Sequence, residues 1–372
     1  MQRTRQRLIV IVTAVAIIAA AGIWYLRPEA PTRTGPIIPA TFRVLSGPYS
    51  ATYDFLTPSL GWAVVIDYSV FSTRFFVFRT TDRAAHWEKR YSGKAEGSQT
   101  YLHFFDERNG LLYAGFTYRT IDGGDHWQVV GVPGPGAFVS FASPIEGWAE
   151  DFGPDSVHLF RTTDGGKTWT RIGAGLPAAA RLQQIFETQS STFRAGGEGW
   201  LGATQQPAPI VFVTADGGAA WQTIQLFPTF GTDYYYNTMV RLIPGSAEVA
   251  FVLDDREQVV GAFLSSDGGA SWAGLSFPFV DISPDELTFV DTDHWWLFHS
   301  GSVYTTDDSG RSWLYLHELA FPSSSWRSDH ARAIDQRHAW WALTSTANSE
   351  VGALAMTTDG GEHWGMVNAP QP

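Results

Sequence analysis

The stretch Thr162-Thr163-Asp164-Gly165-Gly166-Lys167-Thr168-Trp169 decides the fold, because the chain writes it seven times as Ser/Thr-x-Asp-x-Gly-x-x-Trp. The first position is held by Thr80, Thr120, Thr162, Thr214, Ser265, Thr306 and Thr357. The aspartates are Asp82, Asp122, Asp164, Asp216, Asp267, Asp308 and Asp359. The closing tryptophans are Trp87, Trp127, Trp169, Trp221, Trp272, Trp313 and Trp364, spaced 40, 42, 52, 51, 41 and 51 residues apart. A period of this size marks a propeller or a solenoid in which each repeat is one supersecondary unit.

Each position has a physical reason. Leu159-Phe160-Arg161-Thr162 reads as a strand entering the motif and Trp169-Thr170-Arg171-Ile172 as a strand leaving it, so the unit is a β-hairpin. A short carboxylate at the bend accepts backbone N–H groups that the turn leaves unpaired. The glycine takes a backbone conformation that a side chain resists. The tryptophan is a large apolar body suited to packing between neighbouring hairpins. In the first copy Ala84 stands where the glycine belongs, which predicts a distorted or slightly strained turn.

This motif is identified as the Asp-box, or BNR repeat, found in sialidases, sortilin-type receptors, some xyloglucanases and the photosystem II stability/assembly factor family. The chain resembles that last family from about residue 50 to its end. A second recurring piece carries the resemblance: a Gly-Trp strand ahead of the box, at Gly61-Trp62-Ala63-Val64, Gly147-Trp148-Ala149 and Gly199-Trp200-Leu201-Gly202, and more loosely at Trp295-Trp296 and Trp340-Trp341. The resemblance implies an exported, non-catalytic propeller that chaperones a membrane-protein subunit. Recognition in that family is associated with a basic patch, whereas this domain is acidic, so no client is carried over. The Asp-box is an architectural turn shared by proteins with unrelated functions.

With 372 residues, 44% of them hydrophobic and 15% aromatic, the chain has room for a membrane segment and one large all-β domain. Its net charge is −12. Without Arg3, Arg5, Arg7 and Arg27 the rest holds 21 basic against 37 acidic side chains. Such a surface disfavours nucleic acid and anionic lipid as general partners. The absence of cysteine removes disulfides, thiolate metal sites and cysteine nucleophiles from consideration.

Residues 1–7 form a basic tail, predicted to be cytoplasmic. Leu8 to Leu26 is a run of 19 uncharged residues, long enough for a membrane-spanning helix, with Trp24 and Tyr25 at its outer end. The alternative is a cleaved signal peptide, for which Ala19-Ala20-Ala21 fits a cleavage site. Either reading exports the remainder. Residues 27–40 are a Pro/Thr-rich linker. From 41 to 372 the chain reads as a seven-bladed β-propeller of four-stranded antiparallel blades, because radial closure leaves few free edges. The ring closes either through Thr41-Phe42-Arg43-Val44-Leu45 pairing with the last blade or through Trp364-Gly365-Met366-Val367 completing that blade alone.

In an up-and-down blade the boxes are third-to-fourth strand turns and ring one face. The opposite face carries the irregular loops, where function concentrates. Three of these loops stand out. One holds Phe230, Tyr234, Tyr235 and Tyr236, one holds Asp254, Asp255 and Arg256, and one holds Trp326 and Arg327. Aromatics beside charged groups suit a protein or glycan partner. The bland alternative is that the aromatics pack their loops onto the blades.

The box aspartates and tryptophans read as structural, because seven equivalent turn positions make poor catalysts. No cofactor or metal is called for. Asp281, Asp285 and the Asp254-Asp255 pair lack calcium-loop spacing. His294 and His299 flank a strand at an odd separation that turns them to opposite faces. Arg79, Arg119 and Arg161 precede their boxes and read as a surface ladder. The rival reading is a sialidase-like or other glycoside hydrolase. Sialidases resemble one another in three arginines around the substrate carboxylate, an aspartate acid/base and a tyrosine nucleophile. Their Phe/Tyr-Arg-Ile-Pro segment is matched here only by Phe42-Arg43-Val44-Leu45, without the proline. The expectation is therefore a non-catalytic binding module.

Overall fold

Each Asp-box closes a hairpin because the box threonine and aspartate hold the bend between them. In blade three the Thr162 hydroxyl donates to Asp164 at 2.8 Å and accepts from Gly166 N at 2.9 Å, while Thr168 N donates to Asp164 at 3.0 Å. The same three bonds recur in the other six boxes. The computed structural model describes residues 42–372 apart from 70–72, 97–99, 135–136, 153–156, 173–190, 206–207, 227–236, 255, 278–280, 300 and 319–325. The basic tail, the candidate membrane segment and the linker lie outside the described residues. Among the described residues no helix is long and apolar enough to cross a membrane.

Seven antiparallel sheets result, six of them four-stranded with strands in chain order and the seventh joined by the early strand Leu45–Ser46. Blade one runs through Tyr49–Phe55, Gly61–Asp67, Arg74–Thr80 and Glu88–Lys94. The first strands of the other blades are Tyr101–Phe104, Phe138–Phe141, Ser191–Phe193, Asn237–Leu242, Leu287–Phe289 and Trp326–Ala333. These first strands are innermost, and those of blades one and two, four and five, and six and seven touch. The box turns lean on the first-to-second strand turns of their own blades. Gly123 N donates to the Arg108 carbonyl, Gly165 N to Ile145 and Gly217 N to Gly197. The two kinds of turn therefore share one face, as the strand order requires.

The Gly-Trp strand and the Asp-box turn out to be two halves of one joint between blades. The indole N–H of Trp62 donates to the Gly123 carbonyl in the next blade's box at 2.9 Å. Trp148 does the same to Gly217 and Trp200 to Gly268, both at 3.2 Å. The ring of Trp62 stacks on Phe104 of the next blade at 3.7 Å, and Trp148 stacks on Phe193 at 4.2 Å. The guanidinium groups of Arg79 and Arg161 cover the same tryptophans at 5.4 Å. Arg79, Arg119 and Arg161 are thus half-buried members of the joint rather than a surface ladder. The glycine before each tryptophan is needed because a first-strand phenylalanine lies on it. A Cβ at Gly61 would sit 2.3 Å from Phe55, and one at Gly199 2.3 Å from Phe193.

The first turn keeps its bonds despite Ala84. Both Arg83 and Ala84 adopt φ +61°, so the shape is retained and the strain is carried in the backbone. Ring closure uses both candidate strands at once. Leu45–Ser46 pairs with Gly352 and Val351, while Gly365–Val367 pairs with Leu354 to Met356 of the same strand. The two short strands lie end to end along the outer edge of the third strand of blade seven.

Candidate functional site: the axial channel

The innermost strands end on a ring of equivalent residues. Asp54, His103, Ser140, Thr192, Arg241, Thr288 and Arg332 are the register partners of Trp62, Leu111, Trp148, Trp200, Val249, Trp296 and Trp340. Each lies eight residues before its partner. Two residues earlier on the same side of their strands come Thr52, Tyr101, Phe138, Met239 and His330, and in blade six Glu286 ends the short turn Pro284–Glu286 that leads into the strand. Alternation along a strand brings these two levels onto one face.

Three of the seven first-level residues, Asp54, Arg241 and Arg332, carry charge. Asp54, only 2% exposed, accepts from Arg332 at 2.8 Å across the blade seven–blade one boundary and from Phe104 N at 2.6 Å. His103 Nδ1 is 3.7 Å from the same carboxylate. Arg241 donates to the carbonyls of Pro284 and Leu287 in blade six and lies 3.7 Å from Asp285. A capping box of Ser283 and Glu286 builds the short turn that carries Asp285.

These groups feel one another across the axis. Desolvation pulls the Arg241 pKa down, and the Arg332 guanidinium adds to the fall. Burial, with Asp54 nearby, pushes the Tyr101 phenol up to about 12, although the side chain is 57% exposed to solvent. Burial likewise lowers the pKa of His103 and His330, which holds both imidazoles neutral at pH 7.

Taken over both levels, the lining differs from blade to blade. Tyr101 and Phe138, 57% and 46% exposed, come from neighbouring blades two and three. Arg241, Asp285, His330 and Arg332 come from blades five, six and seven, and a register shift between Ser328 and His330 bulges Asp329 out of the pairing there. Chemically, one wall offers flat apolar rings and the other offers guanidinium donors and carboxylate acceptors.

The residues singled out from the sequence have other surroundings. Phe230, Tyr234, Tyr235, Tyr236 and Asp255 lie outside the described residues. Asp254 caps its own turn, accepting from Arg256 N and Gln258 N at 2.9 Å each. Trp326 is half-buried against the core cluster of Trp296, Trp341 and Trp364, and Arg327 is exposed on the innermost strand of blade seven. Box aspartates Asp82, Asp122 and Asp359 also accept from His86, His126 and His363. Asp359, Glu362 and His363 present ligand atoms within 4.8 Å of one another. The Asp359–His363 pair repeats the turn contact of the other two boxes, so it is a feature of the bend.

Sequence reading missed Asp54, Tyr101, His103, Arg241, His330 and Arg332. Their signal is the constant offset from the second-strand register position, which becomes visible only once the first strand is known to be innermost.

No family model matches the chain, and no curated protein matches it. Among solved structures, YCF48 bound to D1 peptide is similar with TM-score 0.51 and 15% identity, over 89% of this chain and 99% of that one. A puromycin-hydrolysing peptidase of Mycobacterium tuberculosis is similar with TM-score 0.56 and 11% identity, over 91% of this chain and 55% of the enzyme, so the chain spans about half its length. The GH74 xyloglucanase from Xanthomonas campestris shares 13% identity at TM-score 0.46, over 82% of this chain and 58% of that one. At such identities the likeness is one of fold.

Proposed function

We propose that the chain is a membrane-tethered, extracytoplasmic scaffold that binds a protein partner on the face opposite the Asp-boxes and does not catalyse. The observation that carries this reading is the placement of exposed aromatics. Tyr68, Tyr113 and Phe116 sit on the second-to-third strand connections of blades one and two, away from the box face. Tyr101 and Phe138 continue the patch toward the axis. Exposed tyrosine and phenylalanine offer large apolar area, to which the tyrosines add a polar hydroxyl, which suits a peptide or protein surface. The D1 peptide held by YCF48 supports a peptide-binding role for a propeller of this shape.

A glycoside hydrolase is the second reading, favoured by Tyr101, Arg241 and Arg332 meeting near carboxylates. One observation weighs against it. The Asp54 carboxylate is already committed to Arg332 and Phe104 N.

The test uses the full chain purified from membranes with its bound partner. Tyr113→Ala with Phe116→Ala is expected to lower recovered partner at least about tenfold, a loss typical of two interface aromatics. Unchanged recovery from a folded double variant would overturn the face assignment. Turnover of chromogenic sialyl, xylosyl or glucosyl substrates that Asp285→Asn abolishes would overturn the non-catalytic reading. For the tether, mass spectrometry of the mature N-terminus should find residues 1–40 intact, whereas cleavage near Ala21 would make the protein secreted.

A further inference from the structure

Nearly all of the net charge sits in two adjacent blades. Residues 227–318, which form blades five and six, hold 14 acidic side chains against 3 arginines and no lysine, a balance of −11 in a chain of −12. The rest of the chain holds 22 basic against 23 acidic side chains. Arg311 is the single lysine or arginine of residues 278–318. The disc is therefore electrically lopsided, and its field steers a cationic partner toward this side.

Blade six also has the least protected edge. An edge strand invites pairing with another chain unless it is short, charged or broken by proline. The fourth strands of blades two and three span two residues, and those of blades five and seven span three. In blade one the strand runs for seven residues but carries Lys89, Arg90 and Lys94. In blade four it is Gln222–Gln225, polar at all but one position. Blade six presents Leu314–Glu318, five residues without lysine, arginine or proline, and among the described residues nothing pairs with its outer side. A register shift between Val303 and Tyr304 tucks Leu316 into the core and leaves Leu314 and Tyr315 58% and 40% exposed. Exposed acids stand at the same end, Asp307 in the box and Asp293 in the turn beside it, which the Ser309 hydroxyl ties to the box at 2.9 Å. Blade seven shows that this fold tolerates an added strand, since Leu45–Ser46 joins it from outside its chain order.

We infer that the outer edge of blade six takes a basic β-strand of a protein partner as a fifth strand. Main-chain hydrogen bonds along Leu314–Glu318 supply affinity, apolar side chains of the strand rest on Leu314 and Tyr315, and its lysines or arginines face Asp293 and Asp307. This surface is separate from the partner face proposed above, because Tyr113 and Phe116 lie on blade two at the end away from the boxes.

Fluorescence anisotropy of the full chain in detergent tests it with three labelled peptides: one alternating Lys with Val, the same peptide with Glu for Lys, and the Lys peptide with proline in place of alternate valines. The Lys–Val peptide should bind with Kd below about 100 μM at low salt and weaken as salt rises, with the Glu peptide at least about tenfold weaker. The proline peptide should also lose about tenfold, because proline cannot donate along the edge. Leu314→Lys with Tyr315→Lys, both at exposed positions, should weaken the Lys–Val peptide about tenfold, and Asp307→Lys about threefold, the scale of one or two exposed ion pairs. Glu107→Lys makes the same change of net charge on blade two and should leave affinity unchanged. Equal weakening by Asp307→Lys and Glu107→Lys would reduce the effect to net charge and overturn the inference. So would the absence of saturation by the Lys–Val peptide, undiminished binding of the proline peptide, or full affinity in the folded Leu314→Lys, Tyr315→Lys variant. Sedimentation of the chain alone tests a rival occupant. Self-association abolished by Lys89→Glu with Lys94→Glu would hand the edge to a second copy and overturn the partner assignment, whereas a monomer supports it. Tyr113→Ala with Phe116→Ala should leave peptide affinity unchanged; a loss there would move the peptide to the other face, so the two proposals fail separately.

Discussion

Arg83 and Ala84 show how one residue can hold a turn against its own preference. Both take φ +61° where the other boxes place glycine in most copies. Ala84 is fully buried and its methyl joins the core cluster with Phe55 and Trp340, so replacing it would trade strain for a lost contact. Arg83 is exposed and has no such compensation. Arg83→Gly should therefore raise stability by about 0.5–1 kcal/mol, the penalty of a side chain in the left-handed region. Urea denaturation at constant slope measures it, and an unchanged or lower midpoint would show that the turn is unstrained. The box aspartates make a second prediction at this scale. Burial works to raise the Asp308 pKa, but hydrogen bonds from the Ser312 hydroxyl and backbone and from Thr306 outweigh it and hold the group at about 2. Asp164 is lowered chiefly by the Thr168 hydroxyl and N–H. A depressed folded-state pKa contributes stability above the unfolded value of about 4, and that contribution is lost as pH falls toward the folded one. The unfolding midpoint should drop between about pH 4 and pH 2, and Asp308→Asn should flatten part of that slope. A midpoint flat across this window would mean that the bends do not depend on the anion.

At the scale of the element, the Gly-Trp strand is a packing device. Gly199 has no room for a methyl, because its Cβ would stand 2.3 Å from two atoms of the Phe193 ring. Gly199→Ala should cost about 1–3 kcal/mol as an overpacked site. Gly199→Ala combined with Phe193→Leu should recover part of that loss by thermal unfolding. Equal losses in the single and double variants would place the strain elsewhere. The hairpins, the blade count and the face of the boxes were legible in the sequence because each rests on local chemistry: a carboxylate, a glycine and a tryptophan at fixed offsets. The joint between blades was half legible. Trp62 and Asp122 both stood out, yet the bond from Trp62 to Gly123 spans 61 residues and belongs to no local pattern. The channel was illegible for a related reason. Arg241 and Arg332 look like ordinary strand residues until seven first strands are placed around one axis. Trp326 packs on its blade and Asp254 caps its turn, contacts that the loop composition does not reveal.

For the whole molecule, the main question is how the ring is locked. A disc without disulfides must hold its seam by pairing and packing. The sequence offered two closing strands as alternatives, and the fold uses them together, with the tail as a clip. Asn368 accepts from Arg43 N at 3.0 Å, donates to the Ala85 carbonyl at 2.7 Å, and offers its own carbonyl to the Trp87 indole at 2.7 Å. Ala369 N donates to the Arg43 carbonyl at 2.8 Å. One residue thus ties the entering strand, the leaving strand and the first box. The seam also has a weakness. The indole N–H of Trp340 is buried without a hydrogen-bond partner, whereas its counterparts Trp62, Trp148 and Trp200 reach the next box. Closure therefore leans on the latch rather than on the indole bond that Trp62, Trp148 and Trp200 make. Leu45→Ala should cost about 2–3 kcal/mol as a buried truncation, and Asn368→Ala about 1–2 kcal/mol for its lost bonds. If both belong to one latch, the double variant should lose less than the sum by about 0.5 kcal/mol or more, because the first change already frees what the second would release. Urea unfolding of the four proteins measures the coupling. Strictly additive losses would mean that the two strands close the ring independently, each on its own stretch of the shared edge.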